Sequence, residues 1–165
     1  MLGLSIENIN CHSPYNIELS EEGAFYFVTD EGLSYEVGFV EDYMIAVDNA
    51  YQLFIMPKSS ANLRRDEKMQ QTITAIIEEF FRSKDVLLDY ICETKDGRQA
   101  ARNRLFIQWF NNYPQRHLYT LRTISLKFDG ISYFAFAIIR KDNTHYAECI
   151  TAIDNFEQNM KDKLK

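Results

Sequence analysis

Apolar and polar positions along this chain alternate between short strand-like runs and helical stripes. The first clear run is Ala24–Thr29, where Phe25, Tyr26, Phe27 and Val28 crowd aromatic and β-branched residues into a predicted strand. Asp30-Glu31-Gly32 supplies turn chemistry. Leu33–Val40 then alternates, with Leu33, Tyr35, Val37 and Phe39 on one face and Ser34, Glu36 and Gly38 on the other. This predicts a hairpin with one side on the core. Tyr51–Met56 predicts a third strand, closed by Pro57. From about Asp66 to Arg82, Met69, Ile73, Ile76, Ile77, Phe80 and Phe81 follow a helical period, and Asp66 and Glu67 sit where the helix dipole favours acids. Residues before Ala24 are weakly patterned, with Tyr15–Leu19 as a short edge strand and Cys11–Pro14 as loop; Glu41–Asn49 takes no assignable state.

The chain is organised around Val86–Tyr113. A short apolar run (Val86, Leu87, Leu88, Tyr90, Ile91) predicts a buried strand, and Lys95-Asp96-Gly97 a turn, with the Asp96 carboxylate placed to cap the helix that follows. Leu105, Phe106, Trp109, Phe110 and Tyr113 recur at three- and four-residue spacing and form one stripe, which extends back to Arg102 and Arg98. After Pro114, Leu118–Phe128 and Ile131–Arg140 read as strands joined by Asp129-Gly130, a type I′ turn signal. Tyr146–Leu164 is the last helix, with Tyr146, Cys149, Ile150, Ile153, Phe156 and Met160 on one face. The order β-β-β-α-β-α-β-β-α predicts an α+β fold with a mixed, mostly antiparallel sheet and helices on its faces. The third and fourth strands, joined through a helix, should be parallel neighbours.

Composition narrows this picture. A chain of 165 residues, 46% hydrophobic and 14% aromatic, fits one domain with a real core. No apolar run reaches the roughly 20 residues of a membrane span, and the first ten residues lack a signal sequence, so a cytoplasmic protein is expected. Cys11, Cys92 and Cys149 are widely spaced and read as reduced thiols. With His12, His117 and His145 scattered, they form no zinc pattern. The net charge of −6 opposes nucleic-acid binding, yet Lys95–Lys127 holds seven basic residues against one acid, Asp96. An anionic ligand or partner, or ion pairs across the fold, would use such a run.

Three groups carry candidate chemistry. Asp89 and Glu93 fall on one face of the organising strand and suit acid–base work, or pairing with Arg98 or Arg102. Arg98 and Arg102, with Arg64 and Arg65 in the loop before the first long helix, form a candidate anion site, since planar guanidinium groups grip phosphate or carboxylate bidentately. The 12 Phe and 10 Tyr furnish a core with rings to spare for a partner surface. Neither a nucleophile–histidine arrangement nor a phosphate-binding glycine loop is present.

The element order over Phe25–Arg140 resembles the central and C-terminal part of the GNAT acyltransferase fold. The resemblance implies an acyl-CoA ligand, with coenzyme A or acetyl-CoA held by a glycine-rich loop at a helix N-terminus and a tyrosine as general acid. The loop here, Pro57–Met69, has no glycine, and Leu105-Phe106-Ile107-Gln108-Trp109-Phe110-Asn111 puts Phe106 at the tyrosine's place. Phe27-x-Thr29-Asp30-x-Gly32-x-x-Tyr35-x-Val37-x-Phe39, with Asp96-Gly97-Arg98 and the Arg102–Phe110 helix, is also similar to a small uncharacterised bacterial domain family without assigned activity. The sequence thus leads to a non-catalytic binding or interaction module with a protein partner or a second copy of itself. It has no cofactor and no nucleic-acid or membrane partner. A GNAT-like N-acyltransferase or acyl-CoA-binding relative is the alternative, so the question of catalysis stays open.

Overall fold

Among the described residues, seven strands line up in one sheet in the order β1-β2-β3-β4-β5-β7-β6. They are β1 (Glu18–Leu19), β2 (Phe25–Val28), β3 (Ser34–Glu41), β4 (Ala50–Pro57), β5 (Leu87–Ile91), β6 (Tyr119–Phe128) and β7 (Ile131–Arg140). The helices are α1 (Ile6–His12), α2 (Glu67–Phe80), α3 (Gln99–Asn112) and α4 (Tyr146–Lys163). The computed structural model describes residues 2–58 and 66–164. The α+β class, the two hairpins and the parallel pairing of β4 with β5 agree with the sequence pattern. That parallel register runs over Ala50↔Leu87, Tyr51↔Leu88 and Gln52↔Asp89, while β4 continues to Pro57.

The chain forms two compact units, one built from Met1–Val40 with Leu53–Ser83 and the other from Glu41–Gln52 with Lys84–Lys165. In the first, rings of Tyr15, Phe27 and Tyr35 stack with centroids 5.9 and 5.6 Å apart, and Phe39 stacks on Phe80 at 4.5 Å. The expected one-sided hairpin is corrected here: Glu36 and Gly38 are buried along with Tyr35 and Val37. Glu36 is held by Lys58 at 3.4 Å, and the Phe54 ring lies over Gly38 so closely that a Cβ there would meet Cζ at 2.5 Å. A side chain at 38 would require that ring to shift.

Helix α1 is a further departure from the pattern, because Cys11 and His12 are its last two residues rather than loop. Its start is capped by Ser5, whose Oγ accepts from Asn8 N–H, and Ile9 is its one buried residue. What holds it is Glu79 on α2, a buried carboxylate that accepts from Ser5 N–H at 3.0 Å, Asn8 Nδ2 at 3.3 Å and Arg82 Nε at 3.0 Å. Burial alone would raise the Glu79 pKa; the donors outweigh it, and the net shift is downward.

In the second unit, Ile45, Ala50, Leu87, Ile124, Ala137, Ile139, Cys149, Ala152 and Ile153 pack into one core beneath α4. Asn143, buried before α4, accepts from His145 N–H at 2.7 Å and donates to the Val86 carbonyl at 3.4 Å. The β6–β7 hairpin closes through Asp129 and Gly130 at φ of 52° and 75°, both left-handed as a type I′ turn requires.

Candidate functional site

The segment from β5 into α3 carries most of the residues that the sequence singles out, and an internal clamp shapes it. Asp96 does not cap α3: the residue at the helix start is Arg98, and no side chain caps it. The Asp96 carboxylate instead accepts Arg98 N–H at 3.1 Å and receives Arg102 through both guanidinium nitrogens, Nη1 reaching Oδ1 at 2.8 Å. Arg102 Nη1 also donates to the Glu93 carbonyl at 2.8 Å. This bidentate pairing, helped by the Arg98 amide, pulls the Asp96 pKa down to about 2. Gly97, at φ +71°, supplies the left-handed residue of the turn. Arg102 is therefore engaged inside its own turn. The Arg98 side chain is exposed and has no hydrogen-bond or ion-pair partner among the described residues. Arg64 and Arg65 lie outside the described residues.

Asp89 and Glu93 separate. Glu93 is exposed beyond the end of β5, and its Oε1 accepts the amides of Thr94 at 3.0 Å and Lys95 at 3.1 Å. Asp89 is 6% exposed in β5, and it faces Asp42 rather than an arginine. Its Oδ2 is buried without a hydrogen-bond partner among the described residues. Loss of water, then the hydrogen bond and repulsion from Asp42, push its pKa up to about 8. Asp89 therefore holds its proton far above the ordinary carboxyl range. Such a group can give or take a proton near pH 8. No sequence signal announced Asp42, which sits in the unpatterned Glu41–Asn49 stretch.

On α3 the stripe is only part-covered. Phe106 is buried, its ring 4.8 Å from Tyr90, 5.0 Å from Trp109 and 5.9 Å from Phe136, so this position belongs to the core and bears no hydroxyl. Leu105, Ile107, Trp109 and Phe110 are half-buried. Gln99 Nε2 anchors the helix start to the Ser132 carbonyl at 2.9 Å.

Elsewhere, the N-terminus of α2 is occupied by the chain's own carboxylate. Asp66 Oδ1 accepts from Lys68 N–H at 2.9 Å and Met69 N–H at 3.2 Å, while Oδ2 accepts from the Tyr15 hydroxyl at 2.7 Å. Burial and that hydrogen bond hold the Tyr15 phenol at about 12. A groove of about 520 Å³ runs between Met44–Val47 and α4, floored by Ala152 and Phe156. Among the described residues no cluster of three metal-binding side chains exists, and no helix is long and apolar enough to cross a membrane. Cys92 and Cys149 are buried free thiols, and burial lifts Cys92 to about 11.

No curated protein matches this chain. A family model does match over residues 65–158, more than half of the sequence, and the chain accordingly belongs to a family of unknown function (DUF6169).

Proposed function

We propose that this chain is a non-catalytic binding module whose ligand is another protein. The observation that carries this is the half-covered stripe of α3. Of its apolar residues only Phe106 is fully buried, which leaves Trp109 and Phe110 part-exposed on an acid-free, arginine-rich stretch. Part-exposed aromatics beside arginine are the composition of interface anchors. Two further features speak for binding over acyl transfer: Phe106 bears no hydroxyl, and the Asp66 carboxylate already takes the amides that would greet a pyrophosphate at the start of α2. The buried reduced thiols accord with a cytoplasmic setting.

A GNAT-like acyl-CoA-binding role is the second reading, favoured by the strand order and by the parallel pairing of β4 with β5. Under it, the exposed Arg98 guanidinium would meet an anionic group of the ligand. Thermal unfolding with coenzyme A, acetyl-CoA and pyrophosphate as control anion separates the two. The module reading expects no shift and no thiol release from acetyl-CoA with a panel of amines. A ligand at 100 times its Kd adds about 2.7 kcal/mol of stability, so a coenzyme A shift absent with pyrophosphate, with thiol release, would overturn it.

A further inference from the structure

We propose that the outer edge of β6 accepts an extended acidic segment of a partner protein as an added strand; this rests on the module reading and names its partner class. β6 is the last strand in the sheet order, and among the described residues it pairs with β7 alone. Lys141 N–H donates to the Leu118 carbonyl at 2.9 Å, and in an antiparallel ladder this fixes which residues face the partner strand. The even-numbered residues Thr120, Arg122, Ile124 and Leu126 turn their backbone groups toward β7. Leu121, Thr123, Ser125 and Lys127 turn theirs outward, and these have no backbone partner among the described residues. Four consecutive outward positions offer the spacing that a strand of seven or eight residues needs.

Charge selects the occupant. From Gly97 to Phe128 the chain contains no acid, and the acid just before this run, Asp96, is committed to Arg102. Arg122 and Lys127 are both exposed, make no ion pair among the described residues, and project from opposite faces of β6, so side chains on either face of an added strand meet a cation. Arg104 and Arg116 are exposed on the approach to β6. A second copy pairing edge to edge would bring Arg122 and Lys127 against the same residues with no acid between them. An acidic strand meets attraction where a like edge meets repulsion.

The test is fluorescence anisotropy of the full chain with a labelled ten-residue peptide of repeating Glu-Glu-Val-Val, which carries Glu on both strand faces, and with its Lys-for-Glu counterpart. The acidic peptide should bind at least tenfold more tightly than the basic one. Binding should weaken at least tenfold in Arg122→Glu/Lys127→Glu, and likewise in Thr123→Pro, which removes an outward N–H without touching the ladder to β7. Independently of any variant, the amides of Leu121, Thr123, Ser125 and Lys127 should gain exchange protection in the complex. Three results overturn the proposal: no binding of the acidic peptide, binding untouched by Thr123→Pro with no added protection (a general polyanion surface), or a dimer of the free chain that already protects these amides. If acetyl-CoA is turned over, the module reading fails whatever the peptide does. If it is inert and the peptide ignores Thr123→Pro, only the β6 assignment falls.

Discussion

Helices α2 and α3 are both 14 residues long, yet they solve the burial problem in opposite ways. α2 opens on Asp66, whose carboxylate caps its first amides, and buries Met69, Ile73, Ala75, Ile76 and Phe80 together with Thr72 and Glu79. α3 opens uncapped on Arg98 and buries only Gln99 and Phe106. Two buried carboxyls, one in each unit, repeat the contrast. Glu79 has three donors and a lowered pKa, whereas Asp89 has another acid for company, an unbonded oxygen and a raised one. A polar group buried with its full set of partners is stabilised in place; one left short is held at a cost. The first unit is thus finished internally, and the second keeps surface and charge in reserve.

The contrast is most sharply tested by truncating isoleucine on each helix. Ile76→Ala, at a fully buried site, should cost about 4 kcal/mol in urea unfolding, against less than about 1.5 kcal/mol for half-buried Ile107→Ala. Equal costs would mean that α3 is as fully packed as α2.

The acids come next, and their signs oppose. Asp89 holds its proton in the folded chain up to about pH 8, while the unfolded chain releases it near the ordinary value of 3.8. Stability from this group is therefore complete below about pH 4 and falls by up to about 1.4 kcal/mol per unit as pH rises toward 8. Asp89→Asn keeps a donor for Asp42 and should flatten that limb, which a urea series at pH 5, 6, 7 and 8 would read. An unchanged slope would place the sensitivity elsewhere.

Glu79 behaves in the reverse sense. Its pKa is depressed, so its contribution is present above the ordinary glutamate value of 4.5 and is lost as pH falls through the folded value. Glu79→Gln should cost about 2 kcal/mol at neutral pH, because donors from Ser5, Asn8 and Arg82 lose the charged acceptor. The same change should make the acid limb shallower. Proteolysis within α1 should quicken in this variant, since Glu79 fastens that helix.

These features differ in how plainly the sequence displays them. The β6–β7 hairpin and α4 can be read almost residue by residue, because Asp129-Gly130 admits one turn and the stripe from Tyr146 to Met160 one period. α1 is illegible for the complementary reason. A seven-residue helix has one buried side chain and depends on a carboxylate more than 60 positions away, which no local pattern encodes. Arg98 and Arg102 were legible as part of a basic run, but local geometry decided which of the two was spoken for. Arg102 finds Asp96 six residues earlier, and Asp89 is left to Asp42, whose stretch has no period to place it.

The ring of Phe54 resting on Gly38 carries a consequence for descent. The two positions are coupled: a side chain at 38 requires the Phe54 ring to move or shrink, and a smaller residue at 54 uncovers the strand at 38. Across diverging relatives the two sites should change together or not at all, as one inherited character spread over two strands.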